Sequence, residues 1–215
     1  KLCVADRLSV LVNGVYARPE HFEGPWLVVA TLFFAVQIYC DFSGYSDMAL
    51  GAARILGFRL MRNFDHPYTS RSVGEFWRRW HISLSTWFKD YVYIPLGGSR
   101  IGFARHATNL MIVFVLSGLW HGANWTFVVW GALHGFYLWV EKMITDIKYA
   151  KVKAVAINTV GETGVPVPVQ AGFKKKNLRN FMLALFTFFL INVTWVFFRA
   201  PNFTSAWHIL SAMFY

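Results

Sequence analysis

HATNLMIVFVLSGLWHGANWTFVVWGALHGFYLWV, residues 106–140, runs for 35 residues without an Asp, Glu, Lys or Arg. The hydrocarbon core of a bilayer takes about 20 apolar residues of helix. The run is therefore too long for one straight crossing and short for two crossings joined by an ordinary loop. Its middle, SGLWHGANW, sets Gly118 and Gly122 on either side of Trp120 and His121, which predicts an interruption inside the membrane. Non-helical backbone at that depth leaves N–H and C=O groups unpaired at several kcal/mol each, and is tolerated only when buried in protein or beside a wet cavity. His121 is thus expected to face such a cavity.

The rest of the chain supports a membrane environment. Its 215 residues are 56% hydrophobic, 15% charged and 19% aromatic, with 10 Trp and 21 Phe. An ordinary soluble domain carries about a quarter of its residues as charges, and Trp and Tyr collect where an apolar interior meets water. Intrinsic disorder, collagen-like repeats and a disulfide-stapled module are excluded, since the 2 Cys, Cys3 and Cys40, lie far apart and outside any metal or redox spacing. The formal charge of +10 raises nucleic acid as a partner, but no binding motif accompanies it. Much of the charge falls between Glu141 and Asn180, where eight basic residues stand against Glu141, Asp146 and Glu162. Residues 145–180 are accordingly expected to form a basic loop on the cytoplasmic side, where Lys and Arg collect beside transmembrane ends. The chain starts at Lys1 with no signal-peptide pattern and is expected to be a piece of something longer.

Two further runs lack charge. Residues 24–40, GPWLVVATLFFAVQIYC, predict a span that ends in a break, followed by a second helical piece through DFSGYSDMALGAARILGF. Residues 180–198, NFMLALFTFFLINVTWVFF, between KKKNLR and Arg199 with Pro201, form the cleanest span. Between residues 74 and 95, Trp77, Trp80, His81, Leu84, Trp87, Phe88 and Tyr91 follow helical spacing. Arg78, Arg79, Ser85, Thr86 and Lys89 lie towards the other side. This predicts one amphipathic helix at or re-entering the membrane interface, ended by Pro95 and the Gly97-Gly98 pair. The N-terminal 24 residues are expected on the surface, and 151–172, with Pro166 and Pro168, as loop.

Ionisable groups in apolar surroundings are the functional candidates. Three of the 7 His qualify: His81, His121 and His134. The bland alternative for each is a buried imidazole satisfied by a carbonyl or an aromatic neighbour. That alternative is preferred for His134, in the regular helical stretch GALHGF, whereas the interruption around His121 favours function. No H-E-x-x-H, Cys cluster, G-x-S-x-G or Walker pattern occurs, so no metal site is expected. Asn124, Asn192 and Asn202 each start an N-x-[ST] match, a pattern too short to carry weight. Asp41 and Asp47 lie near the end of the first span, where capping is the expected role: Asp41 or Ser43 satisfies free N–H groups at the start of the second helical piece. Gly44, Ala49 and Ala53 would allow close packing there, and ion or proton handling by the two carboxylates is the alternative.

Three long strings, QIYCDFSGYSDMALGAARILGF, NFDHPYTSRSVGEFWRRWHISLSTWFKDYVYIPLGGSR and NLMIVFVLSGLWHGANWTFVVWGALHGF, taken in order, closely resemble the membrane-bound O-acyltransferases, in particular their alginate O-acetyltransferase-like branch. The likeness runs from about Val4 to Glu141. It implies an all-α polytopic fold of transmembrane and re-entrant helices around a central tunnel, with residues 1–215 as the C-terminal part of a single membrane domain. By the same likeness His121 corresponds to the family's principal catalytic histidine and His81 to a second one, at a position where other branches often have Asn. Trp80, Trp120, Asn124, Asp41 and Tyr45 are the candidate substrate-binding residues beside them.

No bound cofactor is implied; acetyl-CoA or a similar thioester is the donor. The expected location is the bacterial inner membrane, in contact with lipid and with periplasmic acetyltransferase or polysaccharide-export partners. The chemistry is consistent, because a hydroxyl attacking a thioester needs a base near neutral pKa and imidazole, at about 6.5, supplies one. His121 is assigned as base and His81 as the group that orients substrate or polarises the thioester carbonyl; the two roles are exchangeable. On physics alone, a transporter or channel with an intramembrane His/Asp relay fits the same residues, and a scaffold for an export complex is a third alternative.

Overall fold

The computed structural model describes residues 1–99, 102–163 and 173–214. Helix forms almost everywhere: α1 (Ala5–Ala17), α2 (Gly24–Ile55), α3 (Val73–Arg79), α4 (Ile82–Phe88), α5 (Phe103–His121), α6 (Trp125–Thr163), α7 (Phe173–Arg199) and α8 (Phe203–Ala212). Among the described residues the only β pairing is an isolated bridge between Phe64 and Trp80. Two stretches are long and apolar enough to cross a bilayer, Gly24–Ile55 and Asn177–Arg199. They contain the charge-free runs 24–40 and 180–198 singled out in the sequence.

The 106–140 run resolves into a hairpin. Helices α5 and α6 extend past both of its charged boundaries, and the turn between them takes only residues 122–124. Counting charge-free residues alone underestimates the helix available on either side. The two helices pack along their length with glycines at the contact. A β-carbon at Gly118 would lie 2.2 Å from the carbonyl oxygen of Phe127, and one at Gly131 would lie 2.1 Å from that of Phe114. In an apolar medium helices associate through such close backbone approach rather than through hydrophobic exclusion. At Gly122, in the turn, a β-carbon would lie 2.6 Å from the Phe127 ring. Asn124 closes the turn: its Oδ1 accepts the Thr126 N–H at 3.1 Å and its Nδ2 donates to the Pro201 carbonyl at 3.0 Å.

Three expectations change. First, α2 does not break after Cys40. Asp41, Ser43 and Asp47 lie inside one continuous helix, so neither carboxylate caps anything; Asp41 instead pairs with Lys1 Nζ at 3.2 Å. Small residues weaken a helix by at most about 1 kcal/mol each, too little to end a 32-residue helix.

Second, the amphipathic helix over 74–95 is two short helices. Ser72 caps α3 by accepting the Glu75 N–H at 3.1 Å, and Glu75 Oε2 reaches back to the Arg71 N–H at 2.9 Å, a variant of the capping box. Burial pushes the Glu75 carboxyl up, but the bonds from Arg71 and the charges of Arg71 and Arg79 outweigh it and hold it below the usual carboxylate value. Helix α3 stops where Trp80 turns extended to pair with Phe64. His81, at φ 43° and ψ 54°, then enters the left-handed region. The aromatic stripe is split as a result: Trp80 is 4% exposed, whereas Trp87 and Tyr91 are 50% and 68% exposed.

Third, the stretch expected as a basic loop, 145–180, is helical where described, because α6 runs on to Thr163 and α7 begins at Phe173. Residues 164–172, including Pro166 and Pro168, lie outside the described residues.

The core lies where α2, α6 and α7 meet, sealed by α1, α3 and α8. Leu27, Phe76, Trp130, Ile191, Trp195 and Ile209 are each essentially unexposed within it. The N-terminal segment is more than a surface decoration. Tyr16 of α1 donates to Thr31 Oγ1 of α2 at 2.8 Å, and Arg199 Nη2 of α7 donates to Asn13 Oδ1 of α1 at 2.6 Å.

Candidate active site

His121 is the last residue of α5, at the tip of the hairpin. His81 occupies the left-handed link between α3 and α4. Forty positions apart in sequence, the two rings line one cavity of about 180 Å³ with Ile38, Phe42, Trp80, Trp120, Trp130, Trp195 and Phe198. Five chain segments converge there: α2, the 80–81 link, α5, α6 and α7. A non-glycine residue in the left-handed region stores strain of about 1–3 kcal/mol. At His81 that strain coincides with placing the ring in the cavity rather than along the helix surface.

Aromatic edges fix both imidazoles. The His121 ring meets Trp120, Trp130 and Phe198 edge-on at centroid distances of 4.9, 5.3 and 5.0 Å. The His81 ring meets Phe42 edge-on at 4.6 Å and Trp120 at 6.2 Å. Among the described residues the imidazole hydrogen bonds belong to His66 and His134, so the ring nitrogens of His81 and His121 keep their donor and acceptor capacity for a guest. The indole N–H groups of Trp130 and Trp195, buried in the same wall, also lack a partner among the described residues. Such a chamber can hold a small group, take a proton from a hydroxyl and exclude bulk water.

The other sequence candidates divide. Trp80 is a buried wall of the cavity, and Trp120, 60% exposed, lies at its edge against both imidazoles. Asn124 and Asp41 do not reach it; they line a neighbouring cavity of about 440 Å³. Tyr45 is 59% exposed on α2 and lines neither. Asp47 opens onto a third cavity with Arg54, Arg62 and Asn63, so the two carboxylates are not a pair. Among the described residues no three His, Cys, Asp or Glu side chains cluster to hold a metal. Sequence reading missed Ile38, Phe42, Trp130, Trp195 and Phe198. The i, i+4 spacing of Ile38 and Phe42 and the i, i+3 spacing of Trp195 and Phe198 were available signals.

His134 is a structural residue. It is fully buried, and its Nδ1 accepts the Trp77 indole N–H at 3.2 Å. Thr194 donates its hydroxyl to the Ile191 carbonyl at 2.7 Å, so its oxygen accepts from His134 Nε2–H at 3.0 Å. Those partners assign the Nε2–H tautomer, and the one ring ties α6 to α3 and α7. Replacing His134 with Leu strands the Trp77 N–H and is expected to cost about 1–3 kcal/mol. A lowered midpoint of thermal unfolding in detergent checks this; an unchanged midpoint refutes it.

Comparison with known proteins gives a consistent pattern. Residues 14–153 match the model of the MBOAT, membrane-bound O-acyltransferase family. The chain is 42% identical over 215 residues to a probable alginate O-acetylase, AlgI, of Azotobacter vinelandii, covering 100% of this chain and 38% of that protein. It is 38% identical over 213 residues to a peptidoglycan O-acetyltransferase of Helicobacter pylori, covering 99% of this chain and 36% of the relative. A teichoic acid D-alanyltransferase of Streptococcus thermophilus is 35% identical over 140 residues, 58% of this chain and 34% of that protein. The chain thus spans well under half the length of these relatives.

Proposed function

This chain belongs to the membrane-bound O-acyltransferase family, and from that premise we propose that the protein transfers an acetyl group from a cytosolic thioester, such as acetyl-CoA, to a hydroxyl acceptor. The transfer runs across the bacterial inner membrane, through a tunnel in the helical bundle. Periplasmic polysaccharide-modifying partners take the product onward, in keeping with relatives named for acetylating alginate and peptidoglycan. The observation that carries this is the small aromatic cavity into which His81 and His121 both open.

In this mechanism His121 takes the proton of the acceptor hydroxyl as its oxygen attacks the thioester carbonyl carbon. The carbon–sulfur bond breaks, the ester forms, and the imidazolium returns the proton to the departing thiolate. General-base help of this kind contributes about 10² to 10⁴ in rate. His81 orients the thioester or polarises its carbonyl. Trp80 and Trp120 pack against the acyl group, whose small size suits the chamber. Asn124 and Asp41, in the neighbouring cavity, stand on the acceptor's side.

The test supplies labelled acetyl-CoA to membranes carrying the full-length protein and follows label onto polysaccharide or a periplasmic acceptor. Ion-coupled flux without acyl transfer would identify a transporter instead. His81 adds a graded check in the same assay. Asn tolerates the left-handed backbone that His81 adopts, so His81→Asn is expected to keep the fold and lose roughly tenfold in transfer through poorer positioning. His81→Val, β-branched and strained there, is expected to lose more. Equal activity of the wild type and both variants would remove His81 from the site.

A further inference from the structure

The cavity beside the imidazole chamber differs from it chemically. Gln37, Asp41, Asn124, Thr126 and Arg199 line its polar side. Within it Gln37 Oε1 and the hydroxyl of Thr126 are buried without a partner among the described residues, and Thr126 itself is only 1% exposed. With Asp41, Asn124 and Arg199 on its lining, this chamber suits polar guests, whether water or a substrate hydroxyl.

The two cavities share a wall. Phe198 and Ile38 line both. The Phe198 ring stands edge-on to His121 at 5.0 Å and is wedged among Phe127, Trp130 and Trp195 at 5.1, 5.3 and 5.3 Å. On one side of that ring are orphaned polar atoms and two charged side chains, and on the other an aromatic box with two imidazoles.

A base able to activate a hydroxyl also activates water. If water reaches the thioester, its oxygen bonds to the acyl carbon, the carbon–sulfur bond breaks, and a carboxylic acid and a thiol result with no ester made. An acyltransferase built around His121 therefore needs water kept off the bound thioester while a hydroxyl is admitted. We infer that Phe198, backed by Ile38, is the partition that decides transfer over hydrolysis: it holds the polar chamber's water away from His121 and gives way to the acceptor. This rests on the acyl-transfer function proposed above.

Membranes carrying the full-length protein, supplied with labelled acetyl-CoA, give both products at once, free acetate and acceptor-bound label. Phe198→Ala opens the wall and is expected to raise the ratio of acetate to transferred label by roughly tenfold. Ile38→Ala is expected to shift it the same way by less, and it carries the test if Phe198→Ala does not accumulate in the membrane. An unchanged ratio in the variants that accumulate overturns the partition while leaving the acyltransferase function standing. His121→Ala separates the two ideas, because it is expected to suppress acetate and transfer together. Persistent transfer in that variant would overturn the proposed function itself.

Discussion

Replacing His121 with Ala is expected to lower the proposed acetyl transfer by about 10² to 10⁴-fold, the range general-base assistance supplies, without unfolding the protein. The second half of that expectation follows from how the ring is held. His121 makes aromatic contacts with Trp120, Trp130 and Phe198 but no hydrogen bond to a described side chain, so its removal strands no donor or acceptor. His121→Phe sharpens the measurement: it keeps the edge-to-face packing, worth about 0.5–1.5 kcal/mol per pair, and removes only the titratable nitrogens. Both variants are expected to insert and to unfold in detergent near the wild-type temperature while losing label transfer from acetyl-CoA. Wild-type transfer in either would end the assignment of His121 as base.

Gly131→Leu is expected to collapse the site from a distance. The added β-carbon would sit inside contact distance of the Phe114 carbonyl, which is backbone and cannot swing aside. Helices α5 and α6 must then part. Overpacking a tight interface costs about 1–3 kcal/mol, and more where backbone blocks relaxation. Because α5 ends at His121, a displaced hairpin also moves the proposed base away from the cavity. Gly51→Ala is the control: nothing lies within 4 Å of a β-carbon there, and exchanging Gly for Ala inside an exposed helix stabilises by about 0.5–1 kcal/mol. Proteolysis and thermal unfolding in detergent should separate the two variants clearly. A Gly131→Leu protein as stable and active as the wild type would mean that the hairpin contact is looser than described.

The contrast between these residues shows how far the chain can be read locally. His121 was legible because apolar length and flanking glycines are properties of a short window, and a window of 35 residues already implied an interruption. Gly131 was not singled out, since a glycine in a helical stretch acquires meaning only from the backbone that approaches it. Asn124 carries a structural part as well: its amide binds the turn and the Pro201 carbonyl, a partner 77 residues away that no spacing rule supplies. Asp41 and Asp47 misled for the opposite reason. Polar residues after an apolar run resemble a helix start, yet α2 continues through them, with Ser46 buried and Phe42 edge-on to Phe64 and His81.

Hydropathy and composition by themselves determined that this is a helical, membrane-type chain, located the apolar parts of α2 and α7, and marked the tip of the hairpin. Apolar length and turn-forming residues act within the segment that contains them. Only the tertiary structure decided that helix breaks at Trp80 and His81, where pairing with Phe64 and a left-handed residue override a continuous aromatic periodicity. It also decided which rings enclose the two imidazoles, because that enclosure is made by five segments drawn from across the chain, and contacts between distant segments leave no periodic trace in any one of them.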